Sequence, residues 1–561
     1  MRMPLSIFTA LVLVVTACTP STGGETTTTL DVGSTSSSTS TTTTSPPDGF
    51  GGAISVGIGF IPISLNPFSA DATPESELVG NAIWATVYDI DPVTRRRVAD
   101  NVTALPSETP GGIVDNGDGT ITVQYQVARR ATWSDGAPMT GADLAFTAEA
   151  MRELALFGNP LVDPIMATVV ETDSVEQVAW ITYSEASLVV EDALWIILPA
   201  HSVNPASLTV ADGLDWPSGG PFMVEGADPS VLVRNPNYWK TDESGRQLPY
   251  ADMIEFVGAG EDAPSFFADR GVSVVGLNPS AENRARIEGL SADGAIALTA
   301  ASPIVEQLTF NFRDGRAAVN DVSYNDALAY REAIAHALDR ESLIVESGVP
   351  WIPATGILVP GGTAWSRYAF SPATSRSLVT SLDPTSEPEA ILSTTVNADE
   401  RPSVAVALEG SFAPIGVGYE TDLQDSLVFF QGALPDGTYD LGMWAWLNDG
   451  GIASTLALLE LFLPSNDPGA FSGWGVGSTA SDASVRYSEL AAIAASSTDA
   501  AVFWEAVAEA EEILAAELPL IPLFNRTTLA AVWSDTITGV QANGSDNALT
   551  WNVESWQVVG E

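Results

Sequence analysis

From Thr19 to about Gly49 the chain is a low-complexity run of threonine, serine and glycine with little else. Such a run offers no periodic apolar positions, cannot offset the entropy lost on ordering, and is expected to be disordered. Whatever folds must therefore begin near residue 50. Treated as a flexible coil of about 30 residues, the run would reach roughly 30 Å, which makes it a tether.

Ahead of the tether stands MRMPLSIFTALVLVVTACTP. One basic residue, Arg2, precedes an apolar run from about Leu5 to Ala17, near the length of a signal-peptide core and short for a membrane helix. It closes on Val15-Thr16-Ala17-Cys18, which resembles a bacterial lipobox. The expectation is a signal peptide over 1–17, a lipidated Cys18, and a tether over 18–49. Two or more acyl chains suffice for stable anchoring, so the body would sit outside the cytoplasm on the cell membrane. No second long apolar run is present, so the body itself is expected to be soluble.

Composition narrows the function classes. The 561 residues are 45% hydrophobic, enough for two or three lobes rather than one compact domain. Lys and Arg number 22 against 71 Asp and Glu, a formal charge of -49. That leaves no basic footprint for nucleic acid. It fits either a saline habitat, where salt screens the repulsion, or an acidic coat that serves solubility. Cys18 is the single cysteine, which excludes an intramolecular disulfide and a cysteine-based metal cluster. With His201 and His336 as the only histidines, a histidine-rich zinc site has no ligands.

Along the body, Ile54, Val56 and Ile58 share one face of an expected strand. ITVQYQV alternates from Ile121 to Val127, after a turn at Asp115-Asn116-Gly117-Asp118-Gly119. That turn is loosely like a calcium loop but lacks the later acidic ligands and flanking helices. Thr140 with Asp143 reads as a capping box opening a helix that carries Leu144, Ala148 and Met151. Tyr330, Ile334 and Leu338 mark a second helix, with His336 off their stripe and expected at the surface. Phe503, Val507, Ala510 and Leu514 mark a third, with Glu505, Glu509 and Glu512 on its wetter side. Pro519 ends it before a short buried strand LIPLF. The stretch through TWNVESW alternates again and is expected to return to the first lobe.

WSDGAPMTGADLAF, with Trp133, Asp135, Gly136, Pro138, Thr140, Asp143 and Phe146, resembles the extracellular solute-binding proteins of family 5, the peptide/nickel-binding family. Further matches come in order along the chain: Leu198-Pro199-Ala200-His201, Gly220-Pro221-Phe222, Arg234-Asn235-Pro236-Asn237-Tyr238-Trp239, Leu308-Thr309-Phe310-Asn311, Arg331-Glu332-Ala333-Ile334, Tyr439-Asp440-Leu441 and Pro519-Leu520-Ile521-Pro522-Leu523. They cover about residues 50 to 560.

The resemblance implies an α/β, two-lobed periplasmic-binding-protein fold (type II, large peptide-binding class) with an additional domain. Lobe I would comprise 50–95, 215–310 and 528–561, the additional domain 96–214, and lobe II 311–527. It implies a protein that encloses an oligopeptide or dipeptide between its lobes and delivers it to an ABC permease in the membrane; a monomer is expected, and the histidine and cysteine counts add the expectation of no cofactor and no resident metal. In peptide-binding members an aspartate within a Trp-x-x-Asp stretch pairs with the peptide ammonium. The matching piece here is Trp444-Ala445-Trp446-Leu447-Asn448-Asp449, which makes Asp449 the candidate anchor. Members often continue with Asp-Pro, whereas this chain continues Gly450-Gly451, and Asp449 could equally cap its loop. Trp444, Trp446 and Trp474 could wall the ligand or belong to the core.

A sugar or another small solute is an alternative ligand, and a nutrient-sensing receptor an alternative role. Nickel and haem gain no support from two histidines. No Gly-x-Ser-x-Gly elbow, His-Glu-x-x-His or phosphate loop is present, so an enzyme is not expected.

Overall fold

The computed structural model describes residues 50–382, 388–397, 400–464, 472–544 and 549–560. The expected signal peptide, Cys18 and the tether lie outside the described residues.

An eleven-stranded mixed sheet runs through the described body. One half is built from Phe222–Glu225, Asp228–Arg234, Met253–Gly258, Ala53–Ile58 and Val274–Leu277. The other is built from Leu441–Leu447, Glu389–Thr395 and Gly418–Gln424. Two long antiparallel strands, Ala295–Phe310 and Leu520–Trp533, belong to both halves, and Ile352–Pro353 pairs with the second of them as the eleventh strand. Their pairing breaks register between Ala301 and Val305 and again between Glu306 and Gln307. Bulges of this kind bend a strand pair and re-aim the residues beyond them.

At the second break Glu306 is fully buried, and its carboxylate accepts from the guanidinium groups of Arg401 and Arg526. Burial alone would push this carboxyl upward. The two cations outweigh it and hold the group below the ordinary glutamate value.

A separate four-stranded antiparallel sheet joins Ile113–Asp115, Ile121–Gln126, Val178–Tyr183 and Val169–Val175, with the helix Gly141–Leu156 packed beside it. The turn before Ile121 closes a hairpin in which Asp115 pairs with Ile121. Asp115 and Asp118 accept from the backbone N–H of Gly117 and Thr120 within that turn. The Thr140–Asp143 cap is present: the Asp143 carboxylate accepts from the N–H of Thr140 at 2.8 Å and from that of Ala200 at 2.9 Å.

Apolar side chains collect in distinct clusters. The largest draws on Leu188 and residues from Val305 to Phe524, a second on Phe68 to Leu208, and a third combines Ile54, Val56 and Ile58 with Ile254, Phe256, Val532 and Trp556. Ile54, Val56 and Ile58 are all buried, as their spacing predicts.

Three local expectations need correction. LIPLF is the start of a 14-residue strand rather than a short one. Its polar centre disguises it: Arg526 is met by Glu306, and the hydroxyls of Thr527 and Thr528 donate to the carbonyls of Pro350 and Asn543. TWNVESW forms a short 3-10 turn over Val553–Ser555 rather than an alternating strand, although Trp556 does return to the cluster around Ile54. His336 is half-buried rather than at the surface, with Nδ1 2.8 Å from the Ala369 carbonyl oxygen. Among the described residues no helix is long and apolar enough to cross a membrane.

Candidate functional site

The short strands Tyr88–Ile90 and Arg97–Ala99 pair as a hairpin. Asp91 folds its tip by accepting from the N–H of Val93 and Thr94, at 3.1 and 2.6 Å. Arg95 comes next with a positive φ of 56°, a conformation uncommon outside glycine and worth explaining where it occurs. The tip thus presents Arg95, Arg96 and Arg97 together, three consecutive members of a set of only 22 basic residues.

Each arginine meets a different partner across the body. Arg95 donates from Nη1 to the Ser302 carbonyl at 2.8 Å. Arg96 lies 5.5 Å from the ring centre of Trp504. Arg97 lies 4.9 Å from the ring centre of Tyr88, with Nε 3.0 Å from Asp192 and Nη2 3.5 Å from Asp449. Asp192 in turn accepts from the N–H of Ala453 at 3.0 Å, at the start of the helix Ile452–Leu461. Burial disfavours charge on both Arg97 and Asp192. Asp192, Tyr88 and Asp449 more than restore the cation on Arg97, whereas Asp192 remains raised. Burial also pushes the Tyr88 hydroxyl up to about 12.

The Gly450-Gly451 step makes this approach possible. A Cβ on Gly450 would lie 2.1 Å from the Arg95 carbonyl oxygen, and one on Gly451 would lie 1.9 Å from Nη1 of Arg97. No Asp-Pro pair could stand there with the hairpin in this position. The departure from the expected motif and the arginine tip are therefore two sides of one contact.

Between these elements lies a cavity of about 180 Å³ lined by Glu77, Thr86, Tyr88, Asp89, Ile90, Arg95, Arg97, Trp195, Pro303 and Asp449. Asp449 is thus in the cleft. It is also occupied, since Oδ1 accepts from the N–H of Gly451 at 2.8 Å and from the Ser454 hydroxyl, and Oδ2 faces Arg97. Trp444, Trp446 and Trp474 are elsewhere. All three are buried in the largest apolar cluster, and with Gln307, Thr309 and Phe462 they line a separate void of about 10 Å³, room for one water.

A third space of about 30 Å³ shares Thr86 and Asp89 with the cleft cavity and holds Asp100, Lys240 and Glu554. Lys240 pairs with Asp100. Burial, then the neighbouring Asp100, pushes the Asp89 carboxyl well above its ordinary range.

The family model for bacterial extracellular solute-binding proteins, family 5, matches residues 116–467. The chain belongs to this family. This solute-binding protein therefore has an α/β type II periplasmic-binding fold, acts outside the cytoplasm, and falls in a family of binding proteins rather than enzymes. Among curated relatives, the peptidoglycan-binding protein YepA of Agrobacterium fabrum is 25% identical over 212 residues, 35% of this chain. The match spans 32% of that relative's length. The unliganded open form of the periplasmic murein tripeptide-binding protein MppA superposes with a TM-score of 0.65 at 15% identity, covering 91% of this chain and 99% of that one. The periplasmic EDTA-binding protein EppA gives 0.61 at 17% identity, covering 92% and 98%. At these identities the likeness is one of fold.

Sequence reasoning singled out Asp449, which lines this cavity, but did not single out Arg95, Arg97, Tyr88 or Asp192 around it. The signal was available in Arg95-Arg96-Arg97, a basic triplet inside a strongly acidic chain.

Proposed function

We propose that this protein captures a small solute in the cavity between the arginine tip and the Asp449 loop, and hands it to an ABC permease. The cavity of about 180 Å³ carries this reading. On the scale that gives the 10 Å³ void room for one water, it holds about a dozen waters, room for a compact solute but not for a long extended oligopeptide. The pairing of Asp449 with Arg97 supports the same preference, because a peptide ammonium would have to displace a guanidinium already in place.

The lobe division over 50–95, 215–310 and 528–561, 96–214, and 311–527 remains part of this reading, although apolar clusters bridge its edges, as where Phe310 shares a cluster with Phe524 and Val87 with Val127. The protein would work as a monomer without cofactor, anchored by lipid on Cys18. In this reading Trp444, Trp446 and Trp474 stiffen the core beside the cleft instead of touching solute. Capture of dipeptides or oligopeptides through Asp449 is the second reading, favoured by that residue's position in the cleft. It requires Arg97 to swing away when the ligand enters.

Native mass spectrometry of the full chain, recovered gently from membranes, tests the choice. One compact solute supports the proposal, and a ladder of short-peptide masses supports the second reading. An empty protein that takes up nothing from a metabolite extract rejects both. Loss of uptake on deleting the permease would separate import from nutrient sensing.

A further inference from the structure

Arg97 has two carboxylates, Asp192 and Asp449. Arg95, two residues away, has none within 4.0 Å among the described residues, yet it is only 8% exposed. A guanidinium carries five N–H donors, and among the described residues that of Arg95 makes one hydrogen bond, from Nη1 to the Ser302 carbonyl. Asp449 steadies it from beyond ion-pair distance, and burying a cation without a direct partner is costly. Burial pulls this guanidinium down to about 10, so it remains charged at neutral pH. Its surroundings are the cleft cavity, which it lines directly.

We infer that Arg95 is the seat of a ligand carboxylate, and that the solute taken by this cleft is a small monoanion. This rests on the reading of the cavity as the solute site and gives that solute a chemistry. Planar carboxylate and guanidinium match as a two-pronged pair, and charge-assisted bonds of this kind are the strong ones. The neighbouring groups are already engaged: the Tyr88 hydroxyl donates to the Asp192 carbonyl, the Thr86 hydroxyl donates to Asp100, and Asp449 faces Arg97. Glu77 and Asp89 share the lining. They disfavour a polyanion and suit a solute that carries hydrogen-bond donors away from its carboxylate. Ile90, Trp195 and Pro303 give it an apolar wall.

The hairpin holds Arg95 for this task. Its positive φ and the close approach of its carbonyl to Gly450 fix the backbone, and Ser302 on the long crossing strand fixes one edge of the guanidinium. Arg95 thus lines the cavity on a backbone already fixed, which is the preorganisation that strengthens binding.

The test uses the full chain crystallised in bromide, a monoanion visible by anomalous scattering, together with Arg95→Gln and Arg95→Lys. The expected result is a bromide peak in the cavity at hydrogen-bond distance from Arg95, lost in R95Q and kept in R95K. Both variants should fold, as judged by melting temperature. Bromide at surface arginines with an empty cavity overturns the inference. Mass spectrometry of co-purified solutes is the second arm, with a carboxylate-bearing solute expected in the parent chain and retained about tenfold or more weakly by R95Q. A neutral solute held equally by both chains overturns the oxyanion site while leaving solute capture standing. Bromide at Arg95 with no solute under any condition keeps the site and removes the capture reading.

Discussion

Oδ2 of Asp449 lies 3.5 Å from Nη2 of Arg97, so the residue expected from sequence to receive a ligand's ammonium already faces a cation of the same chain. Asp449 keeps 35% of its side-chain surface, whereas Arg97 is largely enclosed and holds Asp192 as well. Asp449→Asn is therefore expected to cost the fold no more than about 1 kcal/mol, the range of half-exposed pairs. Affinity for a compact solute should change by less than about tenfold. Calorimetric titration of the variant decides, since a far larger loss for a peptide would restore Asp449 as an ammonium anchor.

Gly450 and Gly451 should not be interchangeable with alanine, and for different reasons. At Gly450 the new Cβ meets a backbone oxygen and φ is +83°, so Gly450→Ala should cost about 2–3 kcal/mol. At Gly451 it meets only the end of Arg97, and Arg97→Ala should relieve the clash. A double-mutant cycle on Gly451→Ala and Arg97→Ala, read by thermal unfolding, is expected to be strongly non-additive. Additive losses would mean that the hairpin does not rest on this loop.

Glu306 is 0% exposed between Arg401 and Arg526. Glu306→Gln leaves two guanidinium groups without their shared charge and should cost about 3–5 kcal/mol. Its folded-state carboxyl is held below the ordinary value of 4.5, so its contribution is fully present above that value. It is lost as pH falls through the lowered folded value. Acid-unfolding curves of parent and variant should converge at the low end, and parallel curves would contradict this assignment.

Glu191 behaves in the opposite sense. Burial raises its carboxyl from 4.5 to about 6, against the hydrogen bond it accepts from the N–H of Ser107. A raised acid favours the fold while it is protonated, so that contribution is present below 4.5 and is lost as pH climbs to about 6. At about 1.4 kcal/mol per unit, Glu191→Gln should gain roughly 2 kcal/mol over the parent at pH 7.5 and almost nothing at pH 4. Melting temperatures at the two pH values check it.

Local signals were legible wherever a residue's partners are close in sequence. The Thr140–Asp143 cap, the hairpin before Ile121 and the buried face of Ile54, Val56 and Ile58 all follow from spacing alone. Glu511 was not legible. It sits on the apolar side of its helix because it accepts from the N–H of Ile357 and Leu358 and from Trp365, about 150 residues earlier. The long strand from Leu520 looked short for the same reason, since the groups that satisfy Arg526 and Thr527 come from distant segments. The site obeys this rule too. The motif around Trp446 singled out Asp449, but its partner Arg97 stands some 350 positions away, and the basic triplet that contains it does not by itself say where it docks.

The strand Leu520–Trp533 occupies the middle of the large sheet, with Val274 opposite Val532 and Ala295 opposite Trp533. A sheet whose centre is supplied from so far along the chain cannot be completed while that segment is still being synthesised. Contacts of such long sequence separation also form slowly. The nascent protein is thus expected to remain incompletely folded until Leu520–Trp533 is available, and a chain cut before Leu520 should be open to proteases. For a protein that must leave the cytoplasm, this delay leaves time for a translocase to engage it before the sheet closes.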